Sequence, residues 1–103
     1  MSHQYSTPYV SHSTSEILIP NTKNPNKAVE YINSYIDKVN CLEFSVDISF
    51  MNIIDACHFS TLCSTKHFMK YPDGKINWLV SSKLVENFSK SLLLGNSEFS
   101  AKK

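Results

Sequence analysis

Residues 42–62 read LEFSVDISFMNIIDACHFSTL, and this stretch decides the fold. Apolar and polar side chains alternate strictly from Leu42 to Phe50. Such alternation is typical of a strand with one buried face, whereas a strand buried on both faces is continuously apolar. We therefore predict a sheet that packs against helices on one face and leaves its other, polar face open.

The second half of the stretch predicts a helix. It runs from about residue 56 to residue 70, and Asp55 is placed to cap its N-terminus. Helical spacing selects the residues that should face the core. These are Phe59, Leu62 and Cys63, continued by Lys66 or Met69.

A strand and a helix are predicted before this unit. Residues 16–20 form a short apolar run that ends at a proline. Asn24 and Pro25 then supply an N-cap and a first helical residue with a fixed φ angle. Residues 1–15 are polar and are expected to form an arm, in which residues 5–10 could add an edge strand.

A strand and a helix are also predicted after the unit. Residues 76–80 have the composition of a short buried strand and carry Trp78. Ser81 or Ser82 can cap a last helix, and Gly95 is placed to end it in the C′ position. The residues of this helix predicted to face the core are Leu84, Val85, Phe88 and Leu92.

The alternating order of strands and helices predicts the fold class. Strands joined through helices should be largely parallel, with right-handed crossovers. We therefore expect a small mixed α/β fold, with a mostly parallel sheet and helices packed on one face. The domain should span residues 16–100, with Phe99 packing back in a final short segment and residues 101–103 as a tail.

Composition argues against several functional classes. The net charge is +1 and all ten basic residues are lysines, so the arginine side chain that best contacts guanine and phosphate is absent. We therefore expect no nucleic-acid partner. Three cysteines without framework spacing, no signal-like N-terminus and no apolar run that could span a bilayer predict a cytoplasmic protein with free thiols. No cofactor is predicted.

The corner between the alternating strand and the following helix resembles the STAS domain family of bacterial anti-sigma factor antagonists. The signature of that family is a strand of the type L-D-L-S, followed eight residues after its aspartate by D-S-S-G-L at a helix start. Here Asp47 lies in the sequence VDIS, and Asp55 follows it by eight residues. The likeness covers roughly residues 16–100. It implies a regulatory domain that binds a partner protein and performs no catalysis.

The chain departs from this family at the phosphorylated position. In the family, the second serine of D-S-S-G accepts phosphate from a kinase that is also the anti-sigma factor. The corresponding residue is Cys57, with Ala56 and His58 on either side of it. A thiol is not a substrate for a serine kinase, so we expect no phosphoserine switch at this corner.

The resemblance leads to a hypothesis for the binding surface. We expect the corner at residues 52–60 to dock a partner protein, which would be an anti-sigma or kinase-like protein or a larger regulatory complex. The residues assigned to this surface are Asn52, Asp55, Cys57, His58 and Ser60. Asp55 also has a purely structural interpretation, as the N-cap of the helix.

Two other interpretations remain open from the sequence. Cys57, His58, Cys63 and His67 could form a reactive-thiol or zinc site, because Cys63 and His67 are four residues apart on one helix face. A nucleotide or small molecule could also bind in a cleft at the carboxyl ends of the strands. The second idea lacks a glycine-rich phosphate loop, since Gly74 and Gly95 are the only glycines.

Overall fold

Strands and helices alternate along the whole described chain. The structure, a computed structural model, describes residues 11–20, 22 and 24–102. Within these residues the elements are β1 (Ser11–Leu18), α1 (Pro25–Lys38), β2 (Cys41–Asp47), α2 (Ile53–Lys70), β3 (Lys75–Val80), α3 (Lys83–Lys90) and β4 (Ser97–Ala101). The α/β class predicted from the sequence is confirmed.

The four strands form one sheet in the order β1-β2-β3-β4, and every neighbouring pair is parallel. Because each crossover advances in the same direction and is expected to be right-handed, the three helices belong on one face. Phe44, Trp78 and Phe99 project into the core on this face. Among the four described strands the order contains no reversal, which is the switch point at which open α/β sheets usually bind nucleotides.

The other face of the sheet is polar, as the alternation in β2 predicts. Several of its polar and charged side chains pair with a side chain of another strand or of Lys102, which follows β4. These contacts are Asn77 Nδ2 to Glu43 Oε2 (3.0 Å), Lys75 Nζ to Glu98 Oε2 (3.1 Å) and Lys102 Nζ to Asp47 Oδ2 (2.7 Å). The open face is therefore stabilised by side-chain pairs within the chain.

Both ends of the predicted domain are longer than expected. β1 begins at Ser11, so residues 11–15 belong to the sheet and not to the predicted arm. This segment is polar because an edge strand with an open face needs few apolar residues. At the other end, Ala101 lies in β4 and the Lys102 N–H donates to the Val80 carbonyl oxygen (2.8 Å), so the predicted tail is wrong there. Residues 1–10, with the edge strand predicted at 5–10, lie outside the described residues.

The predicted inward face of the last helix is wrong in part. Ser82 caps α3 as predicted, accepting a hydrogen bond from the Val85 N–H (3.3 Å), but Leu84 is 72% exposed. Phe88 is also largely exposed, whereas Glu86 is buried and accepts a hydrogen bond from the Ala101 N–H (2.9 Å). This contact turns the helix toward β4 and carries the two large apolar side chains outward.

The same helix also ends earlier than predicted. α3 stops at Lys90 with Ser91 as its C-cap, so Gly95 is not the C′ residue. The positive φ angle expected of a terminating glycine occurs instead at Leu93, at 56°. No helix among the described residues has both the length and the hydrophobicity needed to cross a membrane.

Candidate functional site

The corner between β2 and α2 is held by backbone hydrogen bonds and by buried apolar residues. The Ile48 N–H donates to the Leu79 carbonyl oxygen (2.8 Å), and the Met51 N–H donates to the Ile48 carbonyl oxygen (3.0 Å). The side chains of Ile48 and Met51 are buried. The chain therefore reverses tightly after Asp47 and enters α2 from a fixed position.

Asn52, and not Asp55, caps α2. The helix begins at Ile53, and the Asn52 side-chain oxygen accepts a hydrogen bond from the Asp55 N–H (2.8 Å). Asp55 lies in the first turn, where its negative charge interacts favourably with the helix dipole. The predicted cap was wrong because asparagine caps as well as aspartate, and the helix starts one turn earlier than the apolar spacing indicated.

The five predicted surface residues do not share one environment. Asn52 and His58 are exposed, while Asp55 and Cys57 are partly exposed. Ser60 is fully buried, and its hydroxyl donates to the Cys57 carbonyl oxygen (3.2 Å). Ser60 therefore cannot contribute to a partner-binding surface.

Cys57 lies at the contact between two helices. Its Sγ atom is 3.7 Å from the Ser89 Oγ atom of α3. The side chain thus faces the neighbouring helix and is only partly accessible to a partner.

Two apolar residues of the corner were missing from the predicted set. Phe50 is 49% exposed and Ile54 is 69% exposed, although both are large and apolar. Between this corner and the start of α1 lies a cavity of about 290 Å³, which is lined by Thr22, Pro25, Phe50, Met51, Asn52 and Asp55. A sequence signal for Ile54 existed, because an asparagine followed three residues later by an acidic residue resembles a capping box. This pattern places Ile54 in the first, exposed turn of the helix.

The residues of the alternative thiol or zinc site are spread over different environments. Cys63 and His67 face the core, whereas His58 faces solvent. Burial raises the pKa of the Cys63 thiol to about 12, which disfavours the thiolate that binds metals. Among the described residues, no group of three or more His, Cys, Asp or Glu side chains could hold a metal ion.

His67 has a structural role in the core. Its Nε2 atom lies 3.0 Å from the Cys41 carbonyl oxygen, and this nitrogen must donate because a carbonyl only accepts. Its Nδ1 atom is buried and has no hydrogen-bond partner. Burial lowers the pKa of His67, and nearby Lys70 lowers it as well, while the bond to Cys41 acts in the opposite sense. The imidazole is therefore held in its neutral form.

Asp47 is buried at the end of β2. Its carboxylate accepts hydrogen bonds from the Ser49 N–H (2.9 Å) and the Ser49 hydroxyl (2.6 Å), besides the ion pair with Lys102. Burial acts to raise the pKa of Asp47, but these hydrogen bonds and the charge of Lys102 lower it overall. Asp47 thus joins the end of β2 to the end of β4.

Comparison of the chain with protein-family models, with curated proteins and with solved structures found no significant match.

Proposed function

We propose that the chain is a non-catalytic, STAS-like regulatory domain that docks a partner protein through its corner surface. The corner surface is defined by Phe50, Asn52, Ile54, Asp55 and His58. Its partner is proposed to be an anti-sigma or kinase-like protein or a larger regulatory complex. The three free cysteines are consistent with a reducing compartment such as the cytoplasm.

The exposure of Phe50 and Ile54 is the observation that carries this proposal. Large apolar side chains next to a cavity lose water when a partner covers them, at a gain of roughly 25 cal/mol per Å² of apolar surface. Here Phe50 lines a cavity of about 290 Å³ at the start of α2, and Ile54 is exposed in the first turn of that helix. A cavity of this size can receive one or two side chains of a partner.

The polar residues of the corner surface give the docking its specificity. Asn52 and Asp55 line the same cavity, and His58 lies one turn further along α2. Polar groups around an apolar centre are typical of protein–protein interfaces. An apolar centre with a carboxylate at its rim fits a partner surface that carries a basic side chain.

Docking at this corner is proposed to operate without serine phosphorylation. Cys57 stands at the position of the family's phosphoacceptor, and its side chain faces Ser89 of the neighbouring helix. The serine of α2 that is nearest to Cys57 is Ser60, and its hydroxyl is buried where a kinase cannot reach it. Partner binding would therefore be constitutive, or be controlled elsewhere in a larger assembly.

The proposal is tested by affinity capture followed by measurement with the purified partner. The double variant Phe50→Ser with Ile54→Ser removes the apolar centre of the corner surface while keeping the Asn52 cap. We expect binding of the captured protein to weaken by at least about 30-fold, as for interface hot spots. Isothermal titration calorimetry with the purified pair measures the effect.

A matched control removes two apolar side chains from another surface. Tyr31 of α1 and Val39 at its C-cap have exposures similar to that of Phe50. The double variant Tyr31→Ser with Val39→Ser should bind the partner like the wild type. If the corner variant is folded by circular dichroism and still binds with unchanged affinity, the assignment of the surface is wrong.

A further inference from the structure

The loop between α3 and β4 contains a leucine in a strained backbone conformation. Residues 91–96, here called the leucine loop, read SLLLGN. Leu93 has a φ angle of 56°, a left-handed conformation that residues with a Cβ atom adopt at a cost. Its side chain is also 86% exposed, so the fold gains almost no burial from it. Strain at an exposed apolar residue is a reason to look for a function.

The backbone of the leucine loop fixes this conformation. The Leu92 N–H donates to the Ser89 carbonyl oxygen (3.1 Å) and the Leu93 N–H to the Lys90 carbonyl oxygen (3.2 Å). After the turn, the Ser97 N–H donates to the Leu94 carbonyl oxygen (3.1 Å). Leu93 is therefore held outward by hydrogen bonds on both sides, before any partner arrives.

Cavities lie on both sides of Leu93. One, of about 610 Å³, lies between the leucine loop and the turn from α2 to β3, and Phe68 and Pro72 are among its lining residues. The other, of about 590 Å³, lies between the loop and β4. Leu93 is part of the wall of both cavities. One small patch thus holds a projecting side chain and cavities large enough to receive it.

A patch with both features can bind a copy of itself. In a two-fold dimer the same surface of each copy meets, so a projection on one copy must meet a cavity on the other. The charges here permit this contact, because each cavity is lined by one acidic and one basic residue. These are Asp73 and Lys75 in the first cavity, and Glu98 and Lys90 in the second.

The apolar area of the patch is compatible with a small dimer interface. A standard interface buries roughly 800 Å² on each partner. Phe68, Leu92 and Leu93, with the exposed ring of Pro72, offer roughly half of that as apolar surface. Polar residues that line the two cavities surround this apolar surface.

We propose that a second copy of this chain binds at the leucine loop, with Leu93 of each copy inserted into the cavity beside Phe68 of the other. This surface is at the opposite end of α2 from the corner surface. An 18-residue helix is about 27 Å long, so the dimer leaves both corner surfaces free. The inference therefore does not depend on the proposed function, and either can fail alone.

The test is sedimentation velocity of the full chain over a range of concentrations. We expect the wild type to sediment at twice the mass of one chain, with a dissociation constant in about the micromolar range. Leu93→Asp should weaken association by at least about 30-fold. Leu93→Gly should also give a monomer. Its midpoint of thermal unfolding should be higher than that of the dissociated wild-type chain, because glycine adopts a φ angle of 56° without strain.

Leu93→Gly separates lost association from lost folding, because its monomer should be more stable than that of the wild type. Leu84→Asp is the matched control, because Leu84 is similarly exposed but lies at the start of α3, away from the leucine loop. It should remain dimeric. A wild type that stays monomeric up to about 0.5 mM, or a Leu93→Asp variant that associates as strongly as the wild type, would overturn the proposal.

Discussion

An ordinary amphipathic helix buries an apolar face and exposes a polar one. The two faces of α2 depart from this pattern. The face toward the sheet is rich in small or polar residues, namely Ala56, Ser60, Ser64 and His67, with Phe59 and Cys63 among them. The outer face carries the large apolar residues Ile54, Phe68 and Met69, and Met69 is 78% exposed. This helix therefore buries serine hydroxyls against the sheet and leaves large apolar side chains exposed to solvent.

The inner face shows how α2 packs. Large side chains from the sheet, such as Phe44 and Trp78, fill the core, so the helix can contribute small residues and lie close. Its buried hydroxyls have partners: Ser60 donates to the Cys57 carbonyl oxygen, and Ser64 is hydrogen-bonded to Ser97. The two hydroxyls can be buried here at little cost because each is paired.

The outer face of α2 carries apolar side chains that folding does not bury. Folding gains little from side chains that remain mostly in water, so these side chains stay available for contact with a second molecule. The two proposals use the two ends of this face, the corner surface at its start and the cavity beside Phe68 at its end. On the open side of the sheet, the charged residues Asp47, Lys75 and Glu98 have side-chain partners within the chain.

The largest expected effect comes from placing a large residue on the inner face. Ser60→Leu introduces a bulky side chain at a fully buried position and removes the hydrogen bond to Cys57. We expect the free energy of unfolding to fall by about 3 kcal/mol, because a close-packed core tolerates added volume poorly. Urea denaturation followed by tryptophan fluorescence measures the change, since Trp78 is buried under the helices.

The reverse substitution on the outer face is the control for this contrast. Met69→Ser exchanges an exposed apolar residue for a small polar one, and it should change the free energy of unfolding by less than about 0.5 kcal/mol. If Met69→Ser destabilises the chain as much as Ser60→Leu does, then the two faces of α2 are not as the structure places them.

This contrast also explains which parts of the molecule could be predicted from sequence. The strict alternation in β2 and the caps at Asn24 and Ser82 are local signals, and the strand, the open sheet face and the helix starts follow from them. The orientation of α2 is not a local property. Leu62, and Lys66 or Met69, were predicted to face inward, yet Leu62 and Met69 are exposed and the buried positions are taken by Ser60 and Ser64.

The candidate site was predictable in the same partial way. The corner at residues 52–60 follows from the sequence, since a strand ends and a helix begins there. Its apolar centre does not, because the exposure of Phe50 depends on the turn after Asp47, and that turn depends on contacts with β3. The leucine loop was not predicted, because the sequence indicated that α3 continues to Gly95, whereas the helix ends at Lys90.

The second prediction concerns pH and the one ionisable ring on the inner face. The pKa of His67 in the folded chain is below its ordinary value of 6.5, mainly because the ring is buried. The unfolded chain therefore binds a proton at a higher pH than the folded chain does. The stability from the neutral ring is fully present above pH 6.5 and is lost as the pH falls below it. We expect a loss of no more than about 2 kcal/mol between pH 6.5 and pH 5.

Two glutamine substitutions locate this pH dependence on one face of the helix. His67→Gln can still donate to the Cys41 carbonyl oxygen but does not titrate, so its free energy of unfolding should vary less between pH 6.5 and pH 5. His58→Gln removes the exposed histidine of the same helix and should keep the wild-type slope. Chemical denaturation at several pH values measures both, and an unchanged slope in His67→Gln would exclude His67 as the source.

The smallest expected effect concerns the start of α2, where the two faces begin. Asn52→Ala removes the side-chain oxygen that accepts the Asp55 N–H, and it should lower the free energy of unfolding by about 1 kcal/mol. Asp55→Ala keeps the cap and removes only a favourable charge in the first turn, which should cost about 0.5 kcal/mol or less. Added salt should reduce the cost of Asp55→Ala and leave that of Asn52→Ala nearly unchanged, because salt screens charges but not a neutral hydrogen bond. The reverse ranking would mean that Asp55 is the cap, with α2 beginning one turn later and Ile54 outside it.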